Sequence, residues 1–219
     1  MAQRVAVVDP GSGNLASVVR AFEKAAEDNG IGAVVRVVTA AADLAVADRI
    51  VLPGQGAFAA CRRGLDALPG VVAALEDRVR GHGVPFLGIC VGMQLMATRG
   101  LEHGETPGLG WIPGIVAPMD PRGADGAPLP LPQMGWNALS FEEGYHPVLD
   151  GVMSGDQVYF VHSYAYEVDD PEDAIATTDY GGPVTAVIAR GNLAGLQFHV
   201  EKSGPVGLRM LANFLRWEP

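Results

Sequence analysis

The sequence predicts an α/β fold: an open, mostly parallel sheet with helices on both faces and an antiparallel extension in its second half. Three observations predict it. Short apolar, β-branched runs alternate with amphipathic stretches through the first hundred positions, the pattern of a parallel sheet covered on both sides. After about residue 105 the rhythm changes to strands joined by short turns. Hydrophobic residues make up 48% of the 219, and the 29 glycines and 16 prolines sit between apolar runs. That composition suits one sizeable core cut by many tight turns.

The elements follow in order. Residues 4–9 read as a buried strand stopped by Pro10-Gly11. Leu15, Val18, Val19, Phe22 and Ala26 then share one face at helical spacing. Residues 34–39 and 50–52 are further strands, the second ended by Pro53-Gly54. Residues 57–68 and 71–80 read as helices, with Pro69-Gly70 as the break. Residues 84–89 form a fourth strand, and 91–99 a helix after it. Residues 111–132 are rich in Pro and Gly, with 120–127 an exposed loop. Strands are expected at 157–166, 173–178, 184–189 and 194–199. A last helix opens at Ser203-Gly204-Pro205 and buries Val206, Met210, Leu211, Phe214 and Leu215. Ser203 suits its N-cap and Pro205 its first turn. There is no internal repeat and no linker long enough to divide the chain, so residues 1–219 read as a single domain.

Charge and cysteine usage exclude several classes. The formal net charge is −10, which repels a phosphate backbone, so no nucleic-acid partner is expected. No apolar run approaches the roughly 18 residues of a membrane span. The first nine residues are too few, and too soon broken by Pro10, for a signal peptide. The two cysteines, Cys61 and Cys90, form no CxxC pair. Neither a zinc site nor a disulfide framework is expected. The chain reads as a cytoplasmic protein without metal or cofactor.

Gly88-Ile89-Cys90-Val91-Gly92 is the most informative stretch. A strand enters it and a helix leaves, the setting of a nucleophile elbow with sulfur in place of oxygen. Side chains two before and two after the nucleophile would collide with neighbouring backbone, so glycine is needed at both positions. Such a turn lifts the thiol above the carboxyl edge of the sheet, where open α/β sheets carry their sites. A free cysteine, with a pKa near 8.5, is mostly thiol at pH 7. A helix N-terminus favours the thiolate, and the Val91 N–H can serve an oxyanion. Cys61, inside a helix with no elbow, reads as structural.

A thiol nucleophile needs a base. Of five histidines, His82 and His103 read as surface loop residues and His146 as part of a turn beside Pro147. His199 closes an apolar strand, and Glu201 follows two residues later. In extended chain those side chains share a face, so the carboxylate can fix the imidazole tautomer and steady its charged form. His162, at the end of Tyr159-Phe160-Val161, has no nearby carboxylate and is expected to line the site. Pro53-Gly54-Gln55-Gly56 is a second strand–turn–helix junction. Its backbone N–H groups make an anion-binding nest that can complete an oxyanion hole. The turn Pro10-Gly11-Ser12-Gly13-Asn14 lacks the Lys of a phosphate loop and the spacing of a dinucleotide fingerprint, so no nucleotide is assigned to it.

Gly88-Ile89-Cys90-Val91-Gly92-Met93-Gln94 and Gln197-Phe198-His199-Val200-Glu201-Lys202-Ser203 together resemble the two signatures of the class I glutamine amidotransferases. Within that family the chain resembles the branch of glutaminases that serve imidazole glycerol phosphate synthase in histidine biosynthesis. The segments Pro132-Gln133-Met134-Gly135-Trp136-Asn137 and Tyr159-Phe160-Val161-His162-Ser163-Tyr164 point there, as do residues 9–15 and 52–58. The resemblance implies a flavodoxin-like fold and a Cys90, His199, Glu201 triad. It implies an oxyanion hole from the backbone of Gly54, Gln55, Gly56 and Val91, with glutamine bound by Gln94, Ser163 and Tyr164. It also implies a heterodimer, with ammonia passed to a separate cyclase subunit that makes imidazole glycerol phosphate and an aminoimidazole carboxamide ribotide. Met134, Trp136, Asn137 and Lys202 are the expected partner-facing rim.

Three positions depart from the family pattern. Val200 stands where proline is usual between His and Glu, Gln55 where a small or aliphatic residue is common, and Pro10 where an aromatic one often occurs. Two rival readings remain: a glutaminase serving anthranilate, aminodeoxychorismate or pyridoxal phosphate synthesis, and a non-catalytic glutaminase-like adaptor. The 134–137 and 159–164 segments argue against the first, and Val200 and Gln55 are the only support for the second.

Overall fold

A computed structural model describes residues 2–219. Its first half is a run of parallel crossover units. β1 (Gln3–Val8) passes through α1 (Leu15–Asp28) to β2 (Ala33–Val38). α2 (Ala41–Leu44) leads to β3 (Arg49–Gly54). α3 (Phe58–Asp66) and α4 (Val71–Leu75) then lead to β4 (Phe86–Cys90). A single-turn α5 (Val91–Gln94) follows. The second half holds β5 (Arg99–Gly100), β6 (Thr106–Pro107), β7 (Gly114–Pro118), β8 (Gln133–Ser140), β9 (Gln157–His162) and β10 (Tyr164–Val168). It ends with β11 (Ala174–Asp179), β12 (Pro183–Arg190), β13 (Leu193–Leu196) and α6 (Gly204–Arg216).

The main sheet has the order β2-β1-β3-β4-β13-β12-β11-β8-β9. Its pairings from β2 to β13 are parallel and those from β13 to β9 antiparallel. β3, β4 and β13 are buried along their whole length, as expected for strands covered on both faces. Chain order reverses at β1, which steps to β2 in one direction while β3 and β4 lie in the other. Right-handed crossovers therefore place α1 opposite α2, α3 and α4. α6 joins α1, with Phe22 and Phe214 edge to face at 6.1 Å. The predicted stripe of α1 is the one that packs: Val18 and Phe22 are buried, and Leu15 and Val19 lean on the same core. Emptying the Phe22 position would cost about 3–5 kcal/mol.

After β4 the chain departs from expectation in four places. The helix expected over 91–99 stops after one turn. The carbonyls of Leu95, Met96, Ala97 and Thr98 accept from the N–H groups of residues 108–112 instead of continuing an α-helix. The single strand expected over 157–166 is two strands, because the chain turns at Ser163 from the main sheet into a second sheet of order β10-β7-β5-β6. β7 and β8 emerge on either side of the Pro/Gly-rich loop, with β8 paired to β9 so that Gln133 faces His162. The strand expected over 194–199 ends at Leu196. Among the described residues no helix is long and apolar enough to cross a membrane, and no group of three His, Cys, Asp or Glu could hold a metal.

Candidate active site

The elbow is built as its glycines require. Cys90 ends β4 with φ 55° and ψ −114°, a left-handed conformation that costs a non-glycine residue about 1–3 kcal/mol. The surrounding contacts hold it there. A Cβ on Gly88 would sit 2.7 Å from the Gly92 carbonyl oxygen and the Met93 nitrogen. One on Gly92 would sit 1.7 Å from the Leu52 carbonyl oxygen. The two glycines let β4 turn into α5 while pressed against β3, whose Gly54 is paired with Cys90.

Cys90 opens into a cavity of about 400 Å³ at the carboxyl ends of β3, β4 and β13. Its lining includes Gln55, Gly56 and Val91, Gln94 and Glu102, and His162, Ser163, Tyr164, His199 and Lys202. Val91 begins α5, so its N–H has no acceptor within the helix. Gly54 is not part of the wall. It lies behind it, where a Cβ would come within 2.9 Å of the Gly92 nitrogen. The Gln55 carbonyl accepts from the Cys61 thiol at 3.1 Å, and Cys61 in turn meets the Ser12 hydroxyl at 3.1 Å.

His199 and Glu201 are neighbours, but not as extended chain places them. Residues Val200–Lys202 form a 3₁₀ turn, and this turn brings Glu201 Oε1 to 2.8 Å from His199 Nδ1. The pair is almost wholly buried, with side chains 5% and 1% exposed. A carboxylate only accepts, so Nδ1 carries the proton and Nε2 is left for Cys90. Burial works against a charged ring here. Hydrogen bonding and charge from Cys90 and Glu201 outweigh it and raise the His199 pKa to about 9. The expected α5 dipole shrinks with its single turn, and the His199 imidazolium takes over as the positive partner for the sulfur. Val200 is buried under α6, where a Cβ on Gly207 would meet its carbonyl oxygen at 2.0 Å. That packing fixes the turn which proline would otherwise stiffen. Ser203 holds the N-cap position of α6, as expected, but its side chain makes no cap bond. Its hydroxyl donates to the His199 carbonyl at 2.8 Å and accepts from the Tyr159 N–H at 3.1 Å, fastening the turn to β9.

His162 does line the cavity and is buried. Desolvation, opposed by the Tyr164 carbonyl and aided by the His199 charge, lowers its pKa to about 4. Its Nδ1 lies 2.9 Å from that carbonyl and so must donate. Its buried Nε2 is then a bare acceptor with no hydrogen-bond partner. Of the remaining histidines, His82 is exposed and His146 packs edge to face on Trp217 at 5.0 Å.

Gln94 is buried, and both its donors are taken, by the Tyr164 carbonyl at 3.1 Å and by Gln197 Oε1 at 3.0 Å. At the outer rim, Met134 and Trp136 are 63% and 51% exposed, so Trp136 is not a core residue. Trp136 stands edge to face on Tyr159 at 5.9 Å, and Lys202 Nζ lies 5.8 Å from the Tyr159 ring centre. Asn137 accepts from Gln133 at 3.1 Å. Sequence reasoning gives no role to Tyr159, Glu102 or Gln197. Glu102 accepts the Phe58 N–H at the start of α3 from 44 positions away, at 2.6 Å, and nothing local signals that contact. Tyr159 and Gln197 lie inside the motifs that carry the family resemblance, which is the signal that could have found them.

A strained cysteine elbow at the edge of such a sheet, backed by a buried His–Glu pair, defines a class of protein, and comparison with known proteins agrees. The family model for "Glutamine amidotransferase class-I" matches residues 6–217, and the chain belongs to that family. The imidazole glycerol phosphate synthase subunit HisH of Brucella suis biovar 1 (strain 1330) is 53% identical over 219 residues, covering 99% of this chain and all of that one. The protein of the same name from Rhodospirillum rubrum is 53% identical over 216 residues, with 99% and 100% covered. Among solved structures, a protein described as a glutamine amidotransferase superposes with a TM-score of 0.68 at 18% identity, with 97% of each chain covered. A glutamine amidotransferase from Thermotoga maritima gives 0.61 at 15% identity, covering 92% of this chain and 77% of that one. These two likenesses speak for the fold.

Proposed function

We infer that the chain is the glutaminase subunit of an imidazole glycerol phosphate synthase. It hydrolyses glutamine to glutamate and ammonia and passes the ammonia to a cyclase subunit. The observation that carries this reading is the buried His199–Glu201 pair at 2.8 Å, whose His199 shares one cavity with Cys90. Full-length identity above 50% to subunits named for that synthase favours this recipient over a chorismate or pyridoxal phosphate enzyme.

In the proposed cycle the Cys90 thiolate attacks the carboxamide carbon of glutamine. The tetrahedral oxyanion is held by the N–H of Val91 and by backbone N–H groups of the Gln55–Gly56 turn, with Gly54 supplying the close packing behind them. One such donor typically contributes roughly 3–4 kcal/mol of barrier lowering. The His199 imidazolium gives its proton to the leaving nitrogen, ammonia departs, and a thioester remains on Cys90. Neutral His199 then takes a proton from water as it attacks the thioester. Collapse releases glutamate and restores the thiolate–imidazolium pair. Glu201 holds the ring tautomer and its charged form throughout.

The free Oε1 of Gln94 and the backbone of Ser163 and Tyr164 are proposed to hold the amino-acid end of glutamine. Met134, Trp136, Asn137 and Lys202, with Tyr159 added, are proposed to face the cyclase; exposed aromatics of this kind anchor interfaces. We further propose that residues 1–219 work as one domain, and that they do so in the cytoplasm, where the free thiols of Cys61 and Cys90 stay reduced. Glutamate release measured with the cyclase and its ligand present tests the whole reading. Wild type is expected to turn over and Cys90→Ala to fall to background; equal rates would overturn it.

A further inference from the structure

The proposed cycle leaves Gln197 unused, although its side chain is fully buried within reach of the sulfur. Gln197 is 0% exposed and Gln94 is 4% exposed. A buried primary amide must place both an acceptor oxygen and a donor nitrogen against suitable partners. Here a single atom decides which end points where. The Tyr164 carbonyl oxygen can only accept, and the near end of Gln94 lies 3.1 Å from it, so that end is the NH₂ group. The same nitrogen lies 3.0 Å from the near end of Gln197, which must therefore be its oxygen. The far end of Gln197 is then its NH₂, and that nitrogen stands 3.8 Å from Cys90 Sγ. Reversing the row would set oxygen against oxygen at Tyr164. The row thus runs carbonyl, amide, amide, sulfur, with the last donor aimed at Cys90.

We propose that Gln197 is a second hydrogen-bond donor to the Cys90 thiolate, acting alongside His199, and that Gln94 and Tyr164 lock it in that orientation. An N–H donor binds a thiolate more strongly than a neutral thiol, so it favours the reactive form of the nucleophile. Gln94 Oε1 takes no donor from the protein on a side chain that lines the cavity. The residue proposed to hold glutamine therefore also sets the amide that touches the sulfur. The proposal rests on the reading of Cys90 as the nucleophile.

The test follows the sulfur and not turnover. The rate of Cys90 alkylation by iodoacetamide is measured against pH in wild type and in Gln197→Met, a substitution of similar length with no donor. The pH of half-maximal alkylation is expected to rise by about one unit in the variant, equivalent to a tenfold loss of thiolate at lower pH. A residue that only filled space would leave that midpoint in place, and an unchanged midpoint in folded Gln197→Met would overturn the proposal. Should that variant not fold, wild-type protein labelled with ¹⁵N in its glutamine side chains serves instead. The Gln197 amide protons are expected to move downfield as Cys90 ionises, and to stay still over that range in Cys90→Ala. Protons that do not move in wild type would overturn it equally. The glutaminase comparison of Cys90→Ala with wild type separately tests the nucleophile reading, so the two failures are distinguishable.

Discussion

The two cysteines are both buried and both close to a glycine pressed against backbone, and yet their surroundings differ. Cys61 gives its one proton to the Gln55 carbonyl and so accepts from the Ser12 hydroxyl. Burial, only partly offset by those contacts, raises its pKa. Cys90 receives: the Gln197 amide points at it, and the charged His199 ring shares its cavity. A thiol that gives its proton to a carbonyl stays a thiol, while one beside a cation becomes a nucleophile. By exposed area the two are nearly equal, at 0% and 5%; what sets Cys90 apart is the cation beside it.

The strongest way to break this comparison is to remove each sulfur in turn. Cys90→Ala is expected to lower glutamate release by about 10³-fold or more, as loss of a covalent nucleophile does. Cys61→Ala is expected to stay within about tenfold of wild type, because it deletes one weak hydrogen bond and a small volume. Comparable losses in the two variants would erase the distinction.

Glu201→Gln sharpens the same point through the imidazole. The amide keeps the shape but loses the charge that holds the ring protonated, and a fall in kcat of about 10²–10³-fold is expected. The pH dependence of stability has a definite sign. His199 has a folded pKa of about 9, above the unfolded value near 6.5. Its contribution is full below pH 6.5 and is lost as pH rises through about 9. Thermal melts at pH 6 should therefore show a wide gap between wild type and Glu201→Gln, and melts at pH 10 a narrow one. A gap that widens with pH would contradict the raised value.

Glycine neighbours test what does not distinguish the two sites. An added Cβ would come within 1.7 Å of the Leu52 carbonyl oxygen at Gly92, and within 1.8 Å of the Pro10 carbonyl oxygen at Gly64. Both contacts are to backbone, which cannot swing aside. Gly92→Ala and Gly64→Ala should each destabilise by about 3 kcal/mol, read as a shift in the denaturation midpoint. A close glycine is thus a mark of tight packing at either cysteine. Only the strand–Cys–helix setting, with φ of 55° at Cys90, marks the elbow.

That setting is legible in the sequence because it is local. Gly88-Ile89-Cys90-Val91-Gly92 carries its own steric argument, and the alternating strands and helices of the first half carry theirs. What the chain withholds depends on distant partners. The length of α5 is decided by the N–H groups of residues 108–112, which claim the carbonyls of residues 95–98. The pairing of His199 with Glu201 can be read from their spacing, but its geometry cannot: spacing suggests extended backbone, and a 3₁₀ turn fastened by Ser203 brings the two together. The second sheet hides in a Pro/Gly-rich stretch whose strands are short and whose periodicity is weak. The orientation of Gln197 is set by the carbonyl of Tyr164, on a strand that belongs to the other sheet.

The smallest expected effect concerns the loop at residues 10–14, to which the sequence assigns no ligand. Ser12 meets the Cys61 sulfur at 3.1 Å, and the Gly64 contact presses the neighbouring Pro10 carbonyl onto α3. The loop therefore packs against the helix that carries Cys61, and through Cys61 against the Gln55 carbonyl. Ser12→Ala removes one neutral hydrogen bond and should cost about 1 kcal/mol of stability. Ser12→Ala in a Cys61→Ala background should cost less, because the partner sulfur is already gone. A double-mutant cycle on denaturation midpoints measures that coupling. A coupling of zero would mean that hydroxyl and thiol are merely adjacent, and that the loop reaches the turn at Gln55 only through its packing on α3.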